Sequence, residues 1–185
     1  PPVYDDSYYK YTIHEILEMQ TQNFGNYAHG NQPIQHMIYL YNYAGEPWKA
    51  QHWLREVMNR LYSATPDGYC GDEDNGQTSA WYIFTALGFY PVCPATDQYV
   101  IGAPLFKKAT IHLENGKQVV INAPENSETN RYVKSIQTDG KPYTPVFLTH
   151  EMLLNGVVLD FEMSESAEKT RVFRAGDLPY SFSKK

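Results

Sequence analysis

The sequence predicts an α+β protein: a helical half over residues 1–96, followed by an antiparallel β-rich segment over residues 97–185. Two observations carry that division. Apolar residues recur at helical spacing in the first stretch, and after Pro94 the hydrophobic period drops to two. At 185 residues the chain can bury a core as one large domain or two small ones. No internal repeat divides it further.

In the helical half, a first helix is expected around Thr12 to Gln22. From Pro33, the residues Ile34, Met37, Ile38 and Tyr41 fall on one face, and Gly45 closes that segment. Pro47 opens the next helix, where Trp48, Leu54, Val57, Met58 and Leu61 trace an apolar stripe. The last runs from Gln77 to Leu87, with Gly88 as its stop and Pro91 beyond. Trp48, Trp53 and Trp81 all sit at helical positions and read as core rather than as sugar platforms.

Beyond Pro94, Tyr99–Gly102 is strand-like. Thr110–Leu113 leads through the turn dipeptide Asn115-Gly116 into Gln118–Ile121. Tyr132–Ile136 precedes a second turn at Asp139-Gly140, Thr149–Glu151 starts a short helix, and Val157–Met163 forms the last strand. The polar tail from Ser164 is expected to be loose.

Composition excludes several functions. The formal net charge of −6 argues against nucleic-acid binding, which needs a basic face. No apolar run reaches the roughly 18 residues of a membrane span. Pro1–Asp6 lacks the basic-then-apolar pattern of a signal peptide. With 42% hydrophobic and 19% charged residues the chain is not disordered. Its 16 Tyr, 8 Phe and 3 Trp suit both a core and a sugar-lined pocket. Cys70 and Cys93 lack the partners of a structural zinc site, and both a disulfide and two unpaired buried thiols fit them.

Polar residues gather in two stretches, each feeding a helix: Tyr27-Ala28-His29-Gly30-Asn31-Gln32-Pro33, and Pro66 to Gln77 with Asp72-Glu73-Asp74 at its centre. Three readings of the acidic loop stand side by side. One is capping of the following helix, which accounts for one carboxylate better than for three. Another is calcium, although the spacing is not that of an EF-hand. The third is a general base. His29 and His36 bracket helix-breaking Gly30 and Pro33, so a zinc pair is not expected. Nucleophile elbow, phosphate loop and dinucleotide fingerprint are all absent from the sequence.

The blocks Ala28-His29-Gly30-Asn31-Gln32-Pro33, Tyr39-Leu40-Tyr41-Asn42-Tyr43-Ala44-Gly45 and Pro47-Trp48-Lys49 together resemble the C-terminal region of glycoside hydrolase family 92. So do Leu61–Gly68, Gly71–Gln77, Ser79–Tyr82, Ala86–Pro94 and Gly102–Phe106. The resemblance implies a calcium-dependent, inverting exo-α-mannosidase acting on terminal α-linked mannose of glycans, periplasmic or secreted. It also implies that residues 1–96 are the last helices of an (α/α)6 barrel, whose site faces an upstream domain of the same parent chain.

On that resemblance Asp74 is the general base, Asp72 supports or shares the role, and Glu73 faces away. His29, Gly30, Asn31 and Gln32 are implied as substrate contacts, with Asn31 and Gln32 also as calcium ligands. Many members carry Glu where this chain has Gln32; an amide oxygen can ligate a metal but cannot exchange a proton. The family's general acid lies upstream. Glu15 and Glu18 lack its surroundings, so the chain alone is expected to be inactive. The rival reading, from the aromatic surface, is a non-catalytic carbohydrate-binding module.

Overall fold

The computed structural model describes residues 8–183, so Pro1–Asp6 lie outside the described residues. Helices α1 (His14–Gln22), α2 (Leu40–Tyr43), α3 (Pro47–Arg60) and α4 (Gln77–Leu87) come first. Strands β1 (Phe89–Tyr90), β2 (Gln98–Ile101), β3 (Lys108–His112), β4 (Gln118–Asn122), β5 (Tyr132–Thr138), β6 (Lys141–Tyr143) and β7 (Phe147–Thr149) follow. Helix α5 (His150–Leu154) and strand β8 (Val157–Ser164) complete the order. The class is α+β.

Local chemistry accounts for most boundaries. Pro47 opens α3 in its first turn, where a missing N–H costs nothing. Gly88, at φ 99°, closes α4 by donating its N–H to Phe84 and Thr85 carbonyls. Asp139 and Gly140 both adopt positive φ between the paired Thr138 and Lys141, as a two-residue hairpin turn requires. Thr149 caps α5 by accepting from the Met152 N–H.

The segment from Pro33 to Gly45 departs from the single helix its periodicity predicts. It forms two 3₁₀ turns, Gln32–Ile34 and Met37–Tyr39, before the one-turn α2. A tertiary hydrogen bond accompanies the change. The Gln35 carbonyl, which an α-helix would offer to the Tyr39 N–H, instead accepts from the Trp81 indole at 3.0 Å. The Tyr39 N–H turns to the His36 carbonyl, one residue nearer.

Strands β1-β2-β7 form one antiparallel sheet, and β3-β4-β8-β5-β6 form the other. The second sheet is mixed, which corrects the purely antiparallel expectation: β8 enters between β4 and β5 and runs parallel to β4. Its strict alternation makes that central position favourable, because Val157, Leu159, Phe161 and Met163 are all buried on one face. They join Val119, Ile121 and Leu148 in the β core. A second core gathers Tyr39, Leu54, Val57, Met58 and Trp81 beneath the helices.

Buried polar groups of α3 join the two halves. The Arg55 guanidinium, 2% exposed, donates to the Pro104 and Ser127 carbonyls and to Asn126 Oδ1. Where β5 slips register between Val133 and Ser135, the Val133 N–H donates to Gln51 Oε1 at 3.1 Å. The tail is not loose as composition suggested. Asp177 is buried, its main-chain oxygen accepts from the Val146 N–H, and the Tyr180 N–H donates to Gln98 Oε1. Paired backbone groups hold this segment without a helix or strand. Of the three tryptophans only Trp81 is fully buried; Trp53 is 39% exposed and packs edge-on to Phe24.

Candidate active site

The two polar stretches meet in space. Ala28, His29 and Gly30 are buried, while Asn31 and Gln32 are half-buried. Across from them, Asp72 and Asp74 are exposed on the loop that enters α4. One meeting point is between glycines. The Gly30 and Gly71 backbones pass so near each other that a Cβ on either would come within 2.7 Å of the other's Cα. One amide then ties the blocks together: Gln32 Nε2 donates to the Gly30 carbonyl at 3.1 Å and to the Asp72 carbonyl at 3.0 Å. Those two acceptors define which end of the amide is nitrogen and leave Oε1 as its free acceptor.

His29 has no exposed surface. Its Nδ1 pairs with the Tyr27 hydroxyl at 2.8 Å, its Nε2 with the Tyr62 hydroxyl at 2.6 Å, and its ring packs edge-on to Trp81. Burial pushes its pKa down to about 3, so the ring is neutral at physiological pH. Both ring nitrogens are occupied, and the imidazole therefore braces the loop rather than facing it. Gly30 is braced in the same way: its N–H donates to Glu18 Oε1 at 2.5 Å, and burial raises the Glu18 carboxyl above its ordinary range.

The three acidic residues divide their work. Glu73 caps α4, its Oε2 accepting from the Gly76 N–H at 2.8 Å and its Oε1 from the Ser79 N–H at 3.3 Å. Bonds from Ser79 and Gly76 hold that carboxyl below its ordinary range. The capping function read from the loop thus belongs to its middle residue, and two carboxylates remain in solvent. Asp74, Asn75 and Gly76 take φ of 59°, 56° and 97°, a left-handed turn closed by the Gln77 N–H on the Asp74 carbonyl. Asp, Asn and Gly are the residues that tolerate that conformation best.

A cleft of 740 Å³ lies against this loop, lined by Glu18, Arg60, Tyr62, Tyr69, Cys70 and Asp72 among others. Cys70 and Cys93 are both free thiols. Burial pushes the Cys70 thiol up to about 12, too high for a nucleophile at neutral pH. Among the described residues, no three His, Cys, Asp or Glu side chains gather as a metal-ligand set. The Asn31 and Gln32 amides and the Asp72 and Asp74 carboxylates are hard oxygen donors, right in kind for calcium but fewer than its usual roughly six to eight ligands.

Three contributors escaped sequence reasoning. Glu18, which in sequence lacks the surroundings of the general acid, holds Gly30 through its N–H. Gln35 and Thr78, both fully buried, lie beneath the loop. For Thr78 a signal existed, since it shares a helical face with Trp81 and Thr85 at spacings of three and seven.

Comparison with known proteins places these residues in context. Residues 4–165 match the family model described as the glycosyl hydrolase family 92 catalytic domain. The chain is similar to a solved family 92 inverting mannosidase from Bacteroides thetaiotaomicron, at 50% identity and a TM-score of 0.83, covering 100% of this chain and 25% of that one. It is also similar to a family 92 α-mannosidase of the same organism, solved in complex with mannoimidazole, at 43% identity and a TM-score of 0.82. That match covers 86% of this chain and 21% of the other. A curated relative from Arthroderma benhamiae, described as an uncharacterized secreted glycosidase, is 27% identical over 139 residues, 74% of this chain and 18% of that protein. The chain thus spans a quarter or less of the length of these relatives.

Proposed function

The chain belongs to glycosyl hydrolase family 92, and from that membership we propose that it is the C-terminal part of a calcium-dependent, inverting exo-α-mannosidase acting on mannose-containing glycans outside the cytoplasm. Residues 1–96 are then the closing helices of an (α/α)6 barrel, and residues 97–185 are its trailing β segment. The observation that carries the reading is the division of the acidic loop. Glu73 caps α4, while Asp72 and Asp74 stand exposed on a loop whose Asp72 carbonyl accepts from the Gln32 amide.

Inversion needs a base and an acid on opposite faces of the sugar, far enough apart to admit a water. In this reading Asp74 takes the proton from the attacking water, and Asp72 supports it. Asn31 and Gln32 contact the sugar, while His29 and Gly30, being buried, shape the site from behind. Asn31 Oδ1 and Gln32 Oε1 would hold calcium, with its remaining ligands supplied from outside the described residues. When bound, the ion would orient vicinal sugar hydroxyls. The general acid comes from an upstream part of the same parent chain, so the 185 residues alone are inactive.

The test pairs this chain with one extended upstream, each incubated with α-linked mannobioses plus calcium or a chelator, with the released anomer followed by proton NMR. Release of β-mannose by the longer chain only, and only with calcium, supports the reading. Asp74→Asn in that longer chain should then depress rate far more than affinity. A longer chain that binds mannosides without cleaving them would instead favour a carbohydrate-binding module.

A further inference from the structure

We infer that Thr78, held by Gln35, is a positioning residue that sets the carboxylate loop; its catalytic consequence rests on the mannosidase reading, its geometry does not. The Thr78 hydroxyl donates to the Asp72 carbonyl at 3.1 Å. That same oxygen accepts from Gln35 Nε2 at 3.1 Å, and the second Gln35 amide hydrogen goes to the His29 carbonyl at 3.1 Å. The Gln35 main-chain oxygen receives the Trp81 indole N–H. A return path closes the circuit, because the Tyr62 hydroxyl bridges His29 Nε2 and the Thr78 carbonyl.

Thr78 and Gln35 are both 0% exposed. Polar groups so placed are costly unless they are satisfied, and here each is satisfied only when the two sequence blocks are in register. A shift of the Asp72 backbone would leave the Thr78 hydroxyl without its acceptor. The loop above needs such a fixed point, because Asp74, Asn75 and Gly76 are all held at positive φ, a conformation that persists only when its surroundings fix it. Thr78 therefore anchors the entry to the turn, while Glu73 anchors its exit through the Gly76 N–H.

The experiment uses three variants. Thr78→Val keeps the shape and removes the hydroxyl, and Thr78→Ser restores it. Thr85→Val is the matched control, since Thr85 is equally buried on α4 and its hydroxyl accepts from Tyr39 at 2.9 Å, away from the loop. In this chain, amide NMR should show Asp72–Gly76 resonances shifted and exchanging faster in Thr78→Val. They should be native-like in Thr78→Ser and in Thr85→Val. In the longer chain, Thr78→Val should lower kcat roughly ten- to hundred-fold with KM changed less than about two-fold, and Thr78→Ser should recover it. Loop resonances unmoved by Thr78→Val, or moved equally by Thr85→Val, would overturn the inference. So would an unchanged kcat in an active longer chain. If the wild-type longer chain cleaves no mannoside, the mannosidase reading falls, and the amide data alone decide the positioning.

Discussion

Gly30 and Gly71 meet backbone to backbone: a Cβ on Gly71 would lie 2.6 Å from the Gly30 Cα, and one on Gly30 would lie 2.7 Å from the Gly71 Cα. This contact brings the His29–Gln32 block to the Asp72–Asp74 loop, and only residues without side chains permit it.

Alanine at either position should therefore destabilise the chain by about 1–3 kcal/mol: at Gly71 the obstructing atoms are Gly30 backbone, and at Gly30 they are the Gly71 Cα and the Glu18 carboxylate that accepts from the Gly30 N–H. The double variant should cost less than the sum, since the first substitution already opens the shared contact. Urea unfolding of the two single variants and the double would show this. Strict additivity, or no loss in either single variant, would contradict the contact.

Asn75 stands at φ 56° between Asp74 and Gly76. Asn75→Ala should lose roughly 1 kcal/mol, because an L residue with a Cβ pays for the left-handed region. Asn75→Gly should be neutral or better at that backbone conformation. Thermal melts of the two variants should separate in that order, and a reversed order would show that the turn is not left-handed.

His29 makes a pH prediction with a definite sign. Its folded pKa is about 3 and its ordinary value 6.5, so below 6.5 the unfolded chain takes up a proton that the folded chain refuses. The stability is fully present above 6.5 and is lost as pH falls through the window toward 3, by about 2 kcal/mol at pH 5. Glu18, raised rather than lowered, acts in the opposite sense around its own range. The readout must therefore be specific to the residue. Nitrogen shifts of the His29 ring should stay those of a neutral imidazole at pH 5, and titration near 6.5 would mean that the ring is not enclosed.

Arg55 donates to two main-chain carbonyls and to Asn126 Oδ1 from a fully buried position on α3. Arg55→Met fills the space but orphans all three acceptors, for a loss of at least about 3 kcal/mol. Loss of the helical and β signals should remain coincident in denaturant if the halves fold as a unit, at a lower midpoint. A midpoint equal to wild type would show that these bonds contribute nothing.

Much of the chain's organisation is written in local chemistry. Residues 47–60 become α3 because Pro47 and the apolar stripe through Leu54, Val57 and Met58 favour nothing else. Val157 to Met163 becomes a central strand because its alternation suits one buried face. The His-Gly-Asn and Gly-Asp-Glu-Asp blocks carry the family resemblance in sequence alone. In each case the determining signal lies within a few residues, where periodicity and turn chemistry act.

Only the tertiary structure decided the rest, because it depends on partners distant in the chain. Trp81 donates to the Gln35 carbonyl from 46 residues away, within the segment after Pro33 that forms 3₁₀ turns where a single helix was expected. Asp177 accepts from Thr144 and turns a polar tail into a docked segment. Glu73 rather than Asp72 or Asp74 caps α4, a choice set by where the left-handed turn leaves each carboxylate. Sequence spacing names the groups able to make such bonds. Which of them do so is fixed by the whole fold, since a buried donor takes whichever acceptor packing brings within about 3 Å.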